Sequence, residues 1–244
     1  MLIDSHCHID QFPEPEVLLQ ECQQIPMRVV AVTNLPSHYE IALSHLEGQT
    51  HILPALGMHP LCAQQGIREL SDFRRLADSA IYIGEIGLDF SRAGIATKSI
   101  QTRVFEEVLR ILHGRRRFIT IHSRGAEEAV LEALSRHQIQ NAVFHWFTGP
   151  ATLLKDIFKA GHLVSINASA IATQKGKVLI SRAPKDSVLV ESDGPFAKVH
   201  GKPAHPRTVA LAYEALAQEW GVPVASAVTQ VSRNFERSLH VSLQ

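Results

Sequence analysis

The chain has 244 residues, 45% of them apolar and 20% charged, with 24 Lys and Arg balanced by 24 Asp and Glu. That composition excludes an intrinsically disordered chain, and a formal net charge of zero excludes the broad basic surface of a duplex-coating protein. No run approaches ~20 uninterrupted apolar residues, so no membrane span is expected.

Cys7, Cys22 and Cys62 are odd in number and form no C-x-x-C pair, which suits a reducing compartment better than a disulfide framework. Met1 runs straight into Leu2-Ile3-Asp4 with no basic and apolar leader, so the expectation is a cytoplasmic protein. The length fits one (β/α)₈ barrel or two small domains.

In chain order, short apolar runs occupy residues 2–8, 28–33, 51–57, 81–86, 118–122, 142–146, 162–166 and 187–192. Their near-continuous apolar character is what a parallel strand buried on both faces requires. Helix-length segments lie between them. Over residues 101–112, Val104, Phe105, Val108, Leu109 and Leu112 recur at helical spacing on one stripe, and residues 126–137 and 208–220 read the same way. The run Arg115-Arg116-Arg117 follows the first of these helices. It reads more simply as cations at the negative end of a helix dipole than as a polyanion patch.

Strands alternating with helices leave a closed barrel and a doubly wound open sheet in contention. Polar residues decide between them. His6, His8, His59, Glu85, His122, His145 and Asp193 all fall at or just beyond the C-terminal end of an expected strand. Strand ends scattered along a whole chain converge only if the sheet closes, as in a TIM barrel, where all such ends face one mouth. The expected fold is therefore an α/β TIM (β/α)₈ barrel, a single domain over residues 1–244.

His6-Cys7-His8 places two imidazoles at i and i+2 on one strand face, within reach of one ion. With 14 histidines in the chain, such a pair alone is weak evidence. Cys7 then faces the covering helices as a packing residue. Glu85 in Gly84-Glu85-Ile86-Gly87-Leu88-Asp89 ends an apolar strand with a carboxylate that is costly to desolvate without a cation. His122, His145 and Asp193 repeat the design. Taken singly, each reads equally as a hydrogen-bonded strand-end side chain. Four of them joining a histidine pair in barrel order do not.

His6-x-His8, the Glu85 motif, Ile121-His122-Ser123-Arg124, His145-Trp146-Phe147-Thr148-Gly149 and Glu191-Ser192-Asp193-Gly194-Pro195-Phe196 resemble the successive motifs of the TatD family of metal-dependent DNases. The resemblance keeps motif order along essentially the whole chain. It implies an amidohydrolase-like barrel that hydrolyses phosphodiesters with two divalent ions (zinc, manganese, magnesium, nickel or cobalt). His6, His8, Glu85 and Asp193 would bind one ion, and Glu85, His122 and His145 the second, with Glu85 bridging. Asp193 would also orient or deprotonate the attacking water. His59 and Arg124 match positions that face the substrate, and Trp146 and Phe147 offer faces for an unstacked base. His59 reads alternatively as a strand-end histidine bonded to backbone, and Phe147 as a ring packed between strand and helix.

Two features depart from commoner family members. Lys202-Pro203-Ala204-His205-Pro206 stands where an Arg-Asn pair before a proline is usual, and Trp146 stands where a cysteine is frequent. Together with His-Trp-Phe-Thr-Gly and Ser-Asp-Gly-Pro-Phe-Ala, these resemble the compact QatD nuclease subfamily of Qat anti-phage defence systems. That likeness implies foreign or modified nucleic acid as the substrate and other Qat defence proteins as partners. Separately, zero net charge, a barrel mouth more easily reached by a flexible strand than by a duplex, and the Trp146 face lead us to expect a preference for single-stranded DNA or frayed ends. Two rivals share the barrel: a small-molecule amidohydrolase, and a non-catalytic scaffold in a defence complex. Against the first, many such enzymes carry a modified lysine at the end of the fourth strand, where Glu85 stands. Against the second, a scaffold has no need of desolvated carboxylates and imidazoles.

Overall fold

The computed structural model describes residues 1–239. Eight parallel strands follow one another around the sheet in chain order: β1 (Leu2–Cys7), β2 (Met27–Val32), β3 (Ile52–Met58), β4 (Tyr82–Gly87), β5 (Phe118–His122), β6 (Val143–Phe144), β7 (Leu163–Ile166) and β8 (Val188–Val190). Helices α1 (Pro15–Gln23), α2 (Pro36–His45), α3 (Ala63–Gly66), α4 (Leu70–Leu76), α5 (Lys98–Leu112), α6 (Glu127–Arg136), α7 (Leu154–Lys159), α8 (Ala168–Ile171), α9 (Gln174–Arg182), α10 (Val209–Trp220) and α11 (Val224–Leu239) lie between and after the strands. This is an α/β TIM barrel.

The periodic stripes become the outer core. Val104, Phe105, Val108, Leu109 and Leu112 of α5 are all buried. α10 stops where Gly221 takes a left-handed φ of 63° that carries no penalty for glycine. Arg115 donates from Nε to Ile111 O at the end of α5, and from a terminal nitrogen to Asp78 at 2.6 Å. Arg117 reaches Ala77 O and Asp78 O. The basic run thus caps helix ends, as its position after α5 led one to expect. Among the described residues no helix is long and apolar enough to cross a membrane.

β1, β6 and β8 stop short of their expected ends on the side facing the mouth. His8 leaves β1 because its N–H turns to Gly194 O at 2.9 Å. β6 ends at Phe144, and Trp146 adopts φ 34°. β8 ends at Val190, and Asp193 adopts φ 48°. Apolar runs mark where a chain is buried, and here burial continues past the point where the backbone leaves the ladder.

Among the described residues no strand ladder joins β8 to β1. Side chains and loops close that seam instead. Near the bottom, the Tyr213 hydroxyl on α10 accepts from Ile3 N–H at 3.0 Å and donates to Ile3 O at 3.1 Å, in place of a ladder partner from β8. Asn234 on α11 donates to Val188 O and Lys185 O, both at 2.8 Å. Near the top, Asp4 Oδ1 accepts from Ser192 N–H at 2.9 Å, and Asp193 N–H donates to His6 O at 3.0 Å. Phe235 of α11 reaches Phe118 and Tyr82 at the starts of β5 and β4, with ring centroids 5.1 and 6.2 Å apart, and closes the bottom of the barrel.

Tyr213→Phe strips both backbone groups of Ile3 of a buried partner. We expect a loss of about 1–3 kcal/mol in denaturant unfolding; unchanged stability would mean that the seam does not need the hydroxyl.

His162 is buried at the start of β7, where its Nδ1 accepts from Ala142 N–H at 3.3 Å. Burial pushes it down to about 4. Between about pH 6.5 and pH 4 the unfolded chain binds a proton that the folded chain refuses, so stability falls as the pH drops through that window. From about pH 7 to pH 5 this one group accounts for a loss of about 2 kcal/mol. A His162→Gln protein should lose less over the same interval by roughly that amount, and parallel losses in the two proteins would refute the assignment.

Candidate metal centre

The C-terminal ends of β1, β3, β4, β5, β6 and β8 bring His8, His59, Glu85, His122, His145 and Asp193 to the wall of one cavity of about 560 Å³ at the barrel mouth, with His6 packed behind them. His6 and Glu85 are 0% and 1% exposed, so an uncompensated charge there would be prohibitive.

Glu85 is the hub. Its Oε2 faces His8 Nε2 at 3.1 Å and His6 Nε2 at 3.5 Å. Its Oε1 faces His122 Nδ1 at 2.6 Å and His145 Nε2 at 2.7 Å. His6 Nε2 and His8 Nε2 lie 3.3 Å apart, with Asp193 Oδ1 at 3.8 Å from each. Three groups have ligand atoms within 4.8 Å of one another and could hold an ion: His6–His8–Asp193, His6–Glu85–His145 and His59–Glu85–His122. A donor set of imidazole nitrogen and carboxylate oxygen fits a divalent metal of the zinc, manganese or cobalt type.

Local backbone explains the crowding. Gly87 at the end of β4 has φ 141°, and a Cβ there would lie 2.0 Å from His122 O. Only glycine lets β4 and β5 approach until Glu85 and His122 touch. At the other side of the mouth, the left-handed turn at Asp193 (φ 48°) sits in a region that non-glycine residues occupy at a cost, as is common where a side chain must be aimed into a site.

The second nitrogen of several rings is also held. His6 Nδ1 pairs with Thr120 Oγ1 at 2.8 Å, and His122 Nε2 with Asp89 Oδ2 at 2.8 Å. The His6 and His145 rings stack, with centroids 3.9 Å apart and planes 9° off parallel.

The electrostatics follow from this packing. Burial opposes the charge on Glu85, but His59, His145 and His122 outweigh it and hold the carboxyl well below the usual range. Burial likewise opposes charge on His145, yet Glu85 prevails and lifts it to about 10. Burial drives His59 down to about 4 and raises Asp193 to about 6. Asp89, bonded to His122 and Ser91, falls to about 2 although burial works the other way.

A family model described as TatD related DNase matches residues 3–240. The chain belongs to that family. Deoxyribonuclease TATDN3 of Homo sapiens is 24% identical over 257 residues, covering 96% of this chain and 92% of that protein. The uncharacterized metal-dependent hydrolase YabD of Bacillus subtilis is 27% identical over 233 residues, covering 89% and 91%. In fold, the chain is similar to the crystal structure of YjjV, a TatD homologue from Escherichia coli K12, with a TM-score of 0.87 at 22% identity, covering 99% and 98% of the two chains. As a TatD-related DNase, the chain is a hydrolase acting on ester bonds.

All seven expected strand-end residues of this TatD-family chain lie together. His59 is bonded to backbone, Nδ1 accepting from Leu61 N–H at 3.2 Å, while its Nε2 lies 3.5 Å from Glu85 Oε2. Arg124 and Trp146 stand higher on the cavity wall, Arg124 exposed and Trp146 partly so. Phe147 does not offer a face to the cavity. It is 7% exposed and packs against Phe144, because the chain reverses at Trp146. Cys7 is buried as expected, though its thiol turns to Gly194 O in the loop after β8. His205 pairs with Glu21 at 3.0 Å and contributes nothing to the cavity.

Four contributors went without an assigned role in the sequence reading: Asp89, Glu191, Thr120 and Phe196. Asp89 and Glu191 sit inside the quoted motifs, and a second carboxylate beside each ligand-type residue was the available signal. Phe196, 56% exposed, sets its ring edge against His8 with centroids 4.9 Å apart, and nothing in its spacing marks it.

Gly87→Ala should force β4 away from β5. We expect a stability loss of about 2–4 kcal/mol with zinc binding impaired; a variant with wild-type stability and zinc affinity would show that the close approach is dispensable.

Proposed function

We propose that this chain is a deoxyribonuclease that uses two divalent ions bridged by Glu85, prefers single-stranded DNA or free ends, and works in a Qat-type anti-phage defence system as QatD does. The observation that carries the two-ion reading is the division of Glu85 between two sets of imidazoles, one per carboxylate oxygen. A single tetrahedral ion has no use for that many donors. In this reading His6, His8 and Asp193 hold one ion, His122 and His145 the other, and zinc, manganese, magnesium, nickel or cobalt would satisfy them.

Two ions, when bound, would neutralise the phosphodiester and make water more acidic near neutral pH. The chain's own groups do the rest. Asp193, at the cavity wall, orients the attacking water and takes its proton on a carboxylate oxygen. His59 and Arg124 hold non-bridging phosphate oxygens, Arg124 by a forked contact. The cavity is a single mouth between loops, more easily reached by a flexible strand than by a duplex whose major groove alone is about 12 Å wide. Zero net charge supplies little long-range attraction for duplex, whereas Trp146 and Phe196 offer apolar surface to an unstacked base. The defence role and Qat partners rest on the motifs around His145, Asp193 and Lys202. We read residues 1–244 as one working domain in the cytoplasm.

The decisive experiment digests end-labelled and circular single-stranded DNA, alone and annealed to complement, with each metal. We expect metal-dependent cleavage, faster on the single strand. No cleavage with any metal would overturn the nuclease reading, and equal rates on both forms would overturn the strand preference. Asp193→Asn should lower turnover by about 10³-fold while thermal unfolding stays close to wild type, since Asp193 sits above the packed layers. Near-normal turnover at matched metal occupancy would remove Asp193 from its role.

A further inference from the structure

Glu191 is fully buried at the end of β8 and does not line the cavity. A buried carboxylate demands partners, and Glu191 finds them at the ends of the two neighbouring strands, β6 and β7. Its Oε1 accepts from Trp146 N–H at 2.8 Å, in the loop after β6, and from Asn167 Nδ2 at 3.2 Å, after β7. Its Oε2 accepts from the Ser165 hydroxyl on β7. Asn167 in turn caps α8, its Oδ1 accepting from Ala170 N–H at 2.8 Å. β6, β7 and β8 span only two, four and three residues, so this network supplies order that short ladders do not.

The ring of His145 completes the pattern. His6 has Thr120 behind its second nitrogen and His122 has Asp89. The second nitrogen of His145, Nδ1, is buried without a hydrogen-bond partner, and the group facing it is Glu191 Oε2 at 3.8 Å. With Nε2 turned to the cavity, the ring proton belongs on Nδ1, directed at a carboxylate. We propose that Glu191 is a positioning residue of the hydrolytic site: one buried carboxylate fixes the left-handed turn at Trp146 and faces Nδ1 of His145, aiming the ring at the ion and the aromatic wall at the substrate. The proposal rests on the reading of His145 as an ion ligand. Its chemistry is that of a carboxylate behind a metal-bound histidine, which sets the tautomer and strengthens the donor. Here the same carboxylate also shapes the substrate wall.

Glu191→Gln separates charge from packing. Glutamine keeps an oxygen for Trp146 N–H and fills the same volume, but it removes the negative charge opposite Nδ1. Zinc affinity is measured by competition with a chromogenic chelator for wild type, Glu191→Gln and Ser165→Ala. We expect Glu191→Gln to weaken the ion held by His145 by about 10- to 100-fold and Ser165→Ala, which leaves the charge in place, to stay within about threefold. Should Glu191→Gln fail to fold, the zinc-loaded wild-type protein decides by nuclear magnetic resonance. A slowly exchanging, downfield Nδ1–H resonance from His145 supports the assignment. A ring bound through Nδ1, or lacking that proton, overturns it, as does wild-type zinc affinity in Glu191→Gln. Failure to cleave DNA leaves these readouts intact and counts only against the nuclease reading, whereas a wild-type chain that binds no zinc removes the ligand reading and this proposal with it.

Discussion

The barrel depends on a seam that no strand ladder closes among the described residues. β1 and β8 meet through side chains below and loop backbone above: Tyr213 and Asn234 satisfy the edge groups near the bottom, and Asp4, His6, His8, Asp193 and Gly194 exchange hydrogen bonds near the top. An edge strand with free N–H and C=O groups is a liability in any sheet, and here the upper half of the remedy also builds the centre. The bond from Asp193 N–H to His6 O sets the carboxylate of the last motif beside the histidines of the first. Closing the barrel and assembling His6, His8 and Asp193 are the same event.

A second constraint is charge. Glu85, Asp193 and Glu191 are buried within a few ångströms of His6, His8 and His145. Each carboxylate would be untenable alone, and each imidazole offsets part of its neighbour's desolvation. The result is a set of groups pushed away from their ordinary values in opposite directions, with the Glu85 carboxyl held well below the usual range and that of Asp193 raised to about 6 in the same cavity. Such divergence within one cavity is the usual mark of a site built for chemistry. The rigid shell around it (Thr120 behind His6, Asp89 behind His122) keeps the rings aimed.

Much of this was legible in the sequence because two simple physical signals overlap. Apolar runs at regular spacing announce strands buried on both faces, and a charged or imidazole side chain at the end of such a run announces the mouth. Those signals located His6, His8, His59, Glu85, His122, His145 and Asp193 without reference to contacts. What they could not locate depends on backbone direction. The reversal at Trp146 turns Phe147 into the core, and no pattern of residue types distinguishes that ring from its neighbour. Asp89 and Glu191 lie in plain view within the motifs, yet their partners are on other strands, so their work appears only when β4 meets β5 and β8 meets β6 and β7. The start of α5 at Lys98, against an expected 101, shows the usual shift at helix ends, whereas α10 ends at Trp220 as expected.

The seam joins residues 210 positions apart, Ile3 and Tyr213, and this has a consequence for how the protein is made. During synthesis β1 leaves the ribosome ahead of the other strands and waits with one edge bare until α10 and α11 follow. Nearly the whole chain must emerge before the ring can shut, so the early strands belong to an open, adhesive intermediate of the kind that chaperones shield. The hydrolytic apparatus is subject to the same schedule. Asp193 arrives after every other strand-end ligand-type residue and is fixed only as the ring shuts, so a nascent or clipped chain would hold an incomplete set of donors.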